Sequence, residues 1–360
     1  MKKATKNNPP AKILLTSGDP AGIGPEIILK TLRALNEPSS PSEKKLRDTF
    51  EAGRVRFTVL GSIKVYDRLI KKFSPDLKIA EGVIEPGTTG SSSPTCLLEE
   101  KNGPVYFNFS EVSLSGKALP AFGKISRASG EQAFRILQKS AVLVKEKKAM
   151  AIVTAPVHKE AISLSQPSFI GHTEFYAQAF GVKDFSMAFL SPAFDLVLMT
   201  THLGIKDLSK TINRAVILRA LENAVALQKI TGDKKEILVL GFNPHAGEGG
   251  LFGNEDALIS KCVAEMRKKK IRLTEPLAAD SAFVDVVKGK YRTVVACYHD
   301  QGLIPLKMLS KGSSVNVTLG LPFVRTSVDH GTAFDIAGTF RAEHGSMVEA
   351  ILAAVRLVSA

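Results

Sequence analysis

The chain has 360 residues, 44% of them hydrophobic, which describes an ordinary soluble globular protein long enough for two domains of roughly 150 residues. Its formal charge of +13 is dispersed over MKKATK, SEKKLR, KEKK, GDKK and MRKKK, and Trp is absent. The excess therefore reads as solvated helix faces, and it excludes the basic, aromatic-interleaved stripe of a nucleic-acid binder. Cys96, Cys262 and Cys297 are odd in number and far apart, with no CxxC pair. That excludes a disulfide framework and a thiolate metal site, and it fits a reducing cytoplasm.

In chain order, residues 1–11 read as a flexible basic leader. The apolar run Ile13-Leu14-Leu15 is too short for a signal-peptide core, and no run approaches membrane-spanning length. A strand over Lys12–Ser17 feeds TSGDPAGIGPEIILKTL, a glycine turn carrying Asp19 and a helix with Pro25 in its first turn. This is not the dinucleotide fingerprint, because Ile27 stands where the third glycine belongs. The Pro/Ser-rich stretch around Pro38–Gly53 reads as a polar insertion, and Gly82–Pro104 as a loop.

Further strands are expected at Val55–Leu60, Ala151–Ala155, Leu196–Thr201, Glu236–Gly241, Thr293–Tyr298 and Val315–Leu319. Helices are expected at Ser129–Lys147, opened by a Ser129/Gln132 capping box, and at Thr211–Ile230, Glu255–Lys270 and Ser346–Leu357. The alternation points to an α/β fold with a largely parallel, buried sheet.

Histidines are placed unevenly. AIVTAPVH, LVLMTTH, ILVLGFNPH and VVACYH end at His158, His202, His245 and His299. In an open parallel sheet, ligands bind outside the carboxyl ends of the strands. Together with Thr154, Asn243, Asp300 and Gln301 these imidazoles mark a candidate site. With few thiolates or carboxylates nearby, they suit Zn²⁺ better than Mg²⁺, and three ligands with an open position would make a catalytic centre. Spacing alone leaves open which three. The glycine-rich NPHAGEGGLFGNED can wrap a ligand, and Lys307, Asn316 and Arg325 supply grips for phosphate or carboxylate.

The ordered blocks GDPAGIGPE, TAPVHK, GHTEF, THLG, NPHAGEGGLFGNED, DSAF, YHDQGLIPLK and VNVTLGLPFVRTSVDHGTAFDIAG closely resemble the 4-hydroxythreonine-4-phosphate dehydrogenase family of pyridoxal phosphate biosynthesis. The resemblance implies an isocitrate/isopropylmalate dehydrogenase-like fold, with two α/β/α domains, a cleft between them and a homodimer sharing its active sites. The expected domains are 12–150 with 320–360 on the cofactor side, and 151–319 on the metal, substrate and dimer side.

By the same likeness, metal ligands fall on His202, His245 and His299, the last from the other subunit, and His158 drops out. Substrate contacts fall on His172, Thr173, Lys307, Asn316 and Arg325. GDPAGIGPE resembles the GDGIGPE turn of the β-decarboxylating dehydrogenases, and DHGTAFDIAG their adenosine-holding loop. This assigns cofactor contacts to His330, Gly331, Thr332, Ala333 and Asp335. Asp280 and Lys307 are the first places to look for the catalytic base.

The implied reaction is NAD-dependent (or NADP-dependent) oxidative decarboxylation of 4-phosphohydroxy-L-threonine to 3-amino-2-oxopropyl phosphate, with Zn, Mg or Co as the divalent metal. The alternative is a dehydrogenase of threonate or erythronate 4-phosphate. The histidines by themselves also allow a metal-dependent hydrolase. No nucleic-acid or membrane partner is expected.

Overall fold

The computed structural model of the chain describes residues 9–73, 78–80, 95–99, 105–114, 116, 118–310 and 313–359. Most of the leader and most of the Gly82–Pro104 loop lie outside the described residues. The elements in chain order are β1 (Ala11–Thr16), α1 (Gly24–Arg33), α2 (Pro41–Glu51), β2 (Val55–Gly61), α3 (Ile63–Phe73), β3 (Lys78–Ala80), β4 (Thr95–Glu99), β5 (Val105–Glu111), α4 (Arg127–Lys145), β6 (Ala151–Thr154), α5 (Lys159–Ser163) and α6 (His172–Phe180). After these come β7 (Ser186–Leu190), β8 (Asp195–Leu198), α7 (Ile205–Thr211), α8 (Arg214–Thr231), β9 (Leu238–Val239), α9 (Glu255–Lys268), α10 (Ala279–Val287), β10 (Thr293–Ala296), α11 (His299–Ser310), β11 (Val315–Leu319), β12 (Val324–Ser327) and α12 (Gly345–Val358).

The described residues divide into two units, residues 9–179 with 323–359, and residues 180–322. In the first unit the strand order is β3-β4-β5-β2-β1-β6-β12. The run from β5 to β12 is parallel, and β3 and β4 are antiparallel additions. β1 and β6 are nearly all buried, as strands covered on both faces must be.

The first unit therefore reaches beyond the expected boundary at 150. β6 pairs in parallel with both β1 and β12, and α5 packs so tightly on α4 that a Cβ on Gly130 would lie 1.9 Å from the Ala161 carbonyl oxygen. β6 cannot leave that sheet without breaking both ladders, and α5 follows it against α4.

In the second unit the order is β11-β7-β8-β10-β9. β8, β10 and β9 are parallel, while β7 runs antiparallel to both β8 and β11. The expectation of a largely parallel sheet thus fails at β7, which pairs with β8 across the short Ser191–Phe194 turn, where Phe194 N–H donates to Ser191 Oγ at 3.1 Å. Its core is built from Phe189, Phe194, Leu196, Leu198, Leu238, Val294 and their neighbours.

Two local expectations are corrected. The cap of α4 is Ser126, whose side chain accepts from Ser129 N–H at 3.2 Å, while Gln132 Nε2 donates to the Val112 carbonyl at 2.9 Å. The polar insertion is not a bare loop. Pro41–Glu51 forms α2 with a true capping box between Ser40 and Glu43, buries Leu46, and ties to α12 through Ser42–Glu349 at 2.5 Å.

Candidate active site

In the second unit, three histidines stand just beyond the carboxyl ends of adjacent parallel strands: His202 after β8, His245 after β9, and His299 after β10 as the first residue of α11. The parallel ladder makes those ends coincide. The His202 and His299 rings of one chain lie 5.3 Å apart between centroids, tilted by 45°. His299 Nδ1 is 2.6 Å from Asp300 Oδ1. A carboxylate only accepts, so Nδ1 carries a proton and donates to it, which leaves Nε2 as the ring nitrogen that would meet a metal, as in metal-ligating histidines with an outer carboxylate.

His245 is held differently. From His245 to Gly249 the backbone is left-handed, with φ of 52° at His245, 52° at Ala246, 80° at Gly247, 42° at Glu248 and 69° at Gly249. Each non-glycine residue there costs about 1–2 kcal/mol, so the surroundings must impose the turn. At Gly247 a Cβ would also lie 3.0 Å from Asp256 Oδ2. Among the described residues no group of three or more His, Cys, Asp or Glu side chains is gathered as a metal would require. One chain thus brings together two of the three expected ligands.

In the first unit, Arg325 on β12 is buried, and its two terminal nitrogens donate to Thr173 Oγ1 at 3.1 Å and Thr154 Oγ1 at 3.0 Å. Burial pulls its guanidinium down to about 10, partly opposed by Tyr176 and Glu174, so it remains a cation at neutral pH. His172, at the start of α6, has Nε2 buried with no hydrogen-bond partner. Burial first, then the Arg325 and Lys159 charges, hold this imidazole well below its ordinary pKa. A neutral ring, a hydroxyl and a fixed cation form a preorganised anion cradle.

Lys307 and Asn316 belong to the second unit: Lys307 is exposed on α11, and Asn316 on β11 has a buried Oδ1 without a hydrogen-bond partner. Asp280 is exposed in the first turn of α10.

The two glycine-bearing loops of the first unit meet. Ile23 N–H donates to the Thr332 carbonyl at 3.1 Å, and a Cβ on Gly22 would stand 3.0 Å from Thr332 Cβ. Gly22 is therefore required for close approach to the 330–338 loop and not for a Rossmann turn. Within that loop Ala333 has φ 42°, His330 Nδ1 lies 3.1 Å from the Gly331 carbonyl, Thr332 is buried, and Gly331 and Asp335 are exposed. His158, which the family resemblance leaves out of the metal site, stacks on Phe334 with centroids 4.7 Å apart. Asp19 is fully buried, with Oδ1 accepting Ala21 N–H at 2.9 Å, and burial pushes its carboxyl up.

Sequence reasoning passed over Phe334 and Asp256. An aromatic or acidic residue inside a loop motif carries no periodic signal.

The family model described as "Pyridoxal phosphate biosynthetic protein PdxA" matches residues 56–354. The chain belongs to the PdxA family. A 4-hydroxythreonine-4-phosphate dehydrogenase of Geobacter metallireducens is 36% identical over 357 residues, 97% of this chain and 96% of that one. A D-threonate 4-phosphate dehydrogenase of Cupriavidus necator is 36% identical over 341 residues, covering 94% of each. The crystal structure of a 4-hydroxythreonine-4-phosphate dehydrogenase from Klebsiella pneumoniae superposes with a TM-score of 0.77 at 33% identity, covering 97% of this chain and 99% of that one. The PdxA fold, with helices around a large mixed sheet, is the isocitrate/isopropylmalate dehydrogenase-like one that the motif blocks imply. The PdxA match runs from Arg56 to Ala354 and so contains every histidine of the chain.

Proposed function

We propose that the chain is a metal- and NAD-dependent dehydrogenase that oxidatively decarboxylates 4-phosphohydroxy-L-threonine to 3-amino-2-oxopropyl phosphate, acting as a homodimer. The observation that carries this reading is the group of buried Arg325 and Thr173 with His172, whose Nε2 is buried without a hydrogen-bond partner, a cation and polar atoms set to hold an anionic substrate. The names of relatives at 36% identity support a phosphorylated hydroxy acid as that anion.

The donor chemistry fits a divalent cation. His299 is held by Asp300 with Nε2 presented, beside the ring of His202, and His245 is the third nitrogen donor. Zinc suits neutral imidazoles best, with magnesium or cobalt as alternatives. Such an ion supplies Lewis acidity at the substrate hydroxyl, and NAD or NADP supplies the hydride acceptor.

This chain's own residues do the rest. Arg325 and Lys307 grip the anionic groups, and Thr173, Asn316 and neutral His172 orient them, because hydride transfer needs close alignment. His330, Gly331, Thr332, Ala333 and Asp335, packed on the Gly22 turn, hold the cofactor. The hydroxyl proton goes to a base for which Asp280 and Lys307 are the candidates, and loss of carbon dioxide follows from the β-keto acid so formed.

A second copy of the chain completes the metal site in this reading. Leu203 and Ile205 follow His202, Leu251 and Phe252 follow His245, and Ile304 and Met308 follow His299, all large apolar side chains exposed to solvent, Ile205 by 86%. Apolar surface beside each histidine is what a partner subunit would cover. The cytoplasm is the proposed location; among the described residues no helix is long and apolar enough to cross a membrane.

D-threonate 4-phosphate is the second reading, favoured by a relative of that name at the same 36% identity. It differs by a hydroxyl in place of the amine. Steady-state assays of the purified protein with both substrates, NAD or NADP, and added zinc test the proposal. Cofactor reduction with 4-phosphohydroxy-L-threonine at the higher kcat/KM supports it, preference for D-threonate 4-phosphate selects the second reading, and phosphate release without cofactor reduction overturns both.

A further inference from the structure

Three strand-end segments must be held at fixed spacing if His202, His245 and His299 are to act together, and a side-chain network in the second unit laces all three. α9 begins with Glu255 and Asp256. Asp256, buried, accepts Phe242 N–H at 2.7 Å, Asn243 N–H at 3.1 Å and Asn243 Nδ2 at 2.9 Å. Glu255 Oε2 accepts the same Asn243 Nδ2 at 2.9 Å, and its Oε1 accepts the hydroxyl of Ser209 on α7, the helix that follows His202. Gln301 Oε1 accepts Cys297 N–H at 2.7 Å, and its Nε2 donates to the Gly241 carbonyl at 2.7 Å. Thr200 Oγ1 closes the circuit on the Cys297 carbonyl at 2.8 Å.

The geometry points to Glu255 as a positioning residue that couples the His202 segment, through Ser209, to the His245 turn, through Asn243, and thereby sets the metal affinity of the site. Its two oxygens are divided between the two segments. A carboxylate can accept on both oxygens at once, whereas an amide presents one oxygen and one donor nitrogen. Glu255→Ala removes both arms at once, whereas in Glu255→Gln the amide nitrogen can still donate to the Ser209 hydroxyl. The bonds that Ser209 and Asn243 donate also hold the Glu255 carboxyl below its usual range, so the residue is an anion with both oxygens available to accept. Asp256 serves the turn itself, filling the space under Gly247 and anchoring the backbone before the left-handed run. Glu255 is only half-buried and Ser209 is exposed, so both can be changed without opening a core.

This inference rests on the proposal that the histidines bind a divalent cation, and the test separates the two. Cobalt(II) is titrated into the metal-stripped, full-length protein, following the visible d–d absorption and the heat of binding, for the unchanged chain and for Glu255→Ala, Ser209→Ala and Ser209→Thr. The expected result is about 10- to 100-fold weaker cobalt binding with an altered d–d band in Glu255→Ala and Ser209→Ala, recovery in Ser209→Thr, and a double variant no weaker than Glu255→Ala alone. Binding within about twofold of the unchanged chain, or additive losses in the double variant, overturns the coupling. Absence of cobalt binding by the unchanged protein overturns the metal proposal beneath it, and the coupling with it.

Discussion

Arg325 and Thr173 are joined by a buried hydrogen bond of 3.1 Å, which ties the β12 strand to the first turn of α6 and fixes the guanidinium in place, as the proposed anion receptor requires. A planar fork held at two nitrogens loses little entropy when a phosphate or carboxylate arrives. In Arg325→Lys the fork becomes a single point charge. Loss of charge-assisted bonds worth about 1.5–3 kcal/mol lowers kcat/KM about 10- to 100-fold. Steady-state kinetics with saturating cofactor checks this, and an unchanged kcat/KM would remove Arg325 from the substrate site.

The neutral state of His172 makes stability depend on pH. Its folded pKa lies well below the ordinary value through burial and then the Arg325 and Lys159 charges, while the unfolded chain titrates near about 6.5. Below that pH the unfolded chain holds a proton that the folded one refuses. The stabilisation is therefore complete above about 6.5 and falls as the pH drops toward the folded value, by at most about 1.4 kcal/mol per pH unit. His344 is shifted in the same direction, but it is common to both proteins compared. Urea titrations should show a flatter acid limb in His172→Gln; parallel limbs would mean that the ring is protonated in the native state.

His299 stands outside the core at the end of β10, half-buried, with its Nδ1 on Asp300. Replacing it with alanine removes a nitrogen donor without removing packing. His299→Ala is expected to lose turnover and zinc binding, with a melting temperature of the metal-free protein within a few degrees of the unchanged chain, about 1 kcal/mol or less. Near-normal activity would refute the ligand assignment.

Subunit sharing is tested by mixing. In one chain His202 and His299 lie side by side, whereas the family resemblance draws His299 from the partner. If His299 crosses to the partner's site, a heterodimer of His202→Ala and His299→Ala chains retains one site with all three rings. Activity should recover toward about half per heterodimer, since one of its two sites is whole. No recovery after demonstrated exchange would mean that both rings serve the same chain's site.

Gly22 should govern cofactor binding. Its Cβ would meet Thr332 Cβ at 3.0 Å, the Thr332 carbonyl at 3.1 Å and the Phe334 ring at 3.3 Å, so a branched side chain must displace the 330–338 loop. Overpacking of about 1–3 kcal/mol corresponds to NAD binding weakened about 10-fold or more in Gly22→Val. Calorimetric titration with NAD reads this directly, and unaltered affinity would place the cofactor away from this loop.

The strand ends that carry histidines were legible because each follows a continuous apolar run, as β8 and β10 show. β7 and β12 were not. SMAFL is as apolar as a helix segment, and VRTS is four residues with a buried cation at its second position, so neither carries a period that distinguishes strand from loop. α2 was hidden for the opposite reason: its polar face dominates the composition, and Leu46 is the only apolar side chain it buries. Strand-end placement marks His158 as it marks the other three, and only the structure shows its ring stacked on Phe334.

Local order in the chain determined which residue types stand at the ends of which strands, and the motif blocks determined the family. Tertiary structure decided everything that depends on distance across the sequence: that residues 151–179 join the first unit, that His202 and His299 are neighbours, that Arg325 is held by two threonines more than 150 positions away, and that Glu255 reaches both Ser209 and Asn243. Periodicity reports only how one element faces its surroundings. Strand order and side-chain convergence arise from ladders between elements remote in sequence, and no short window contains both partners of such a ladder.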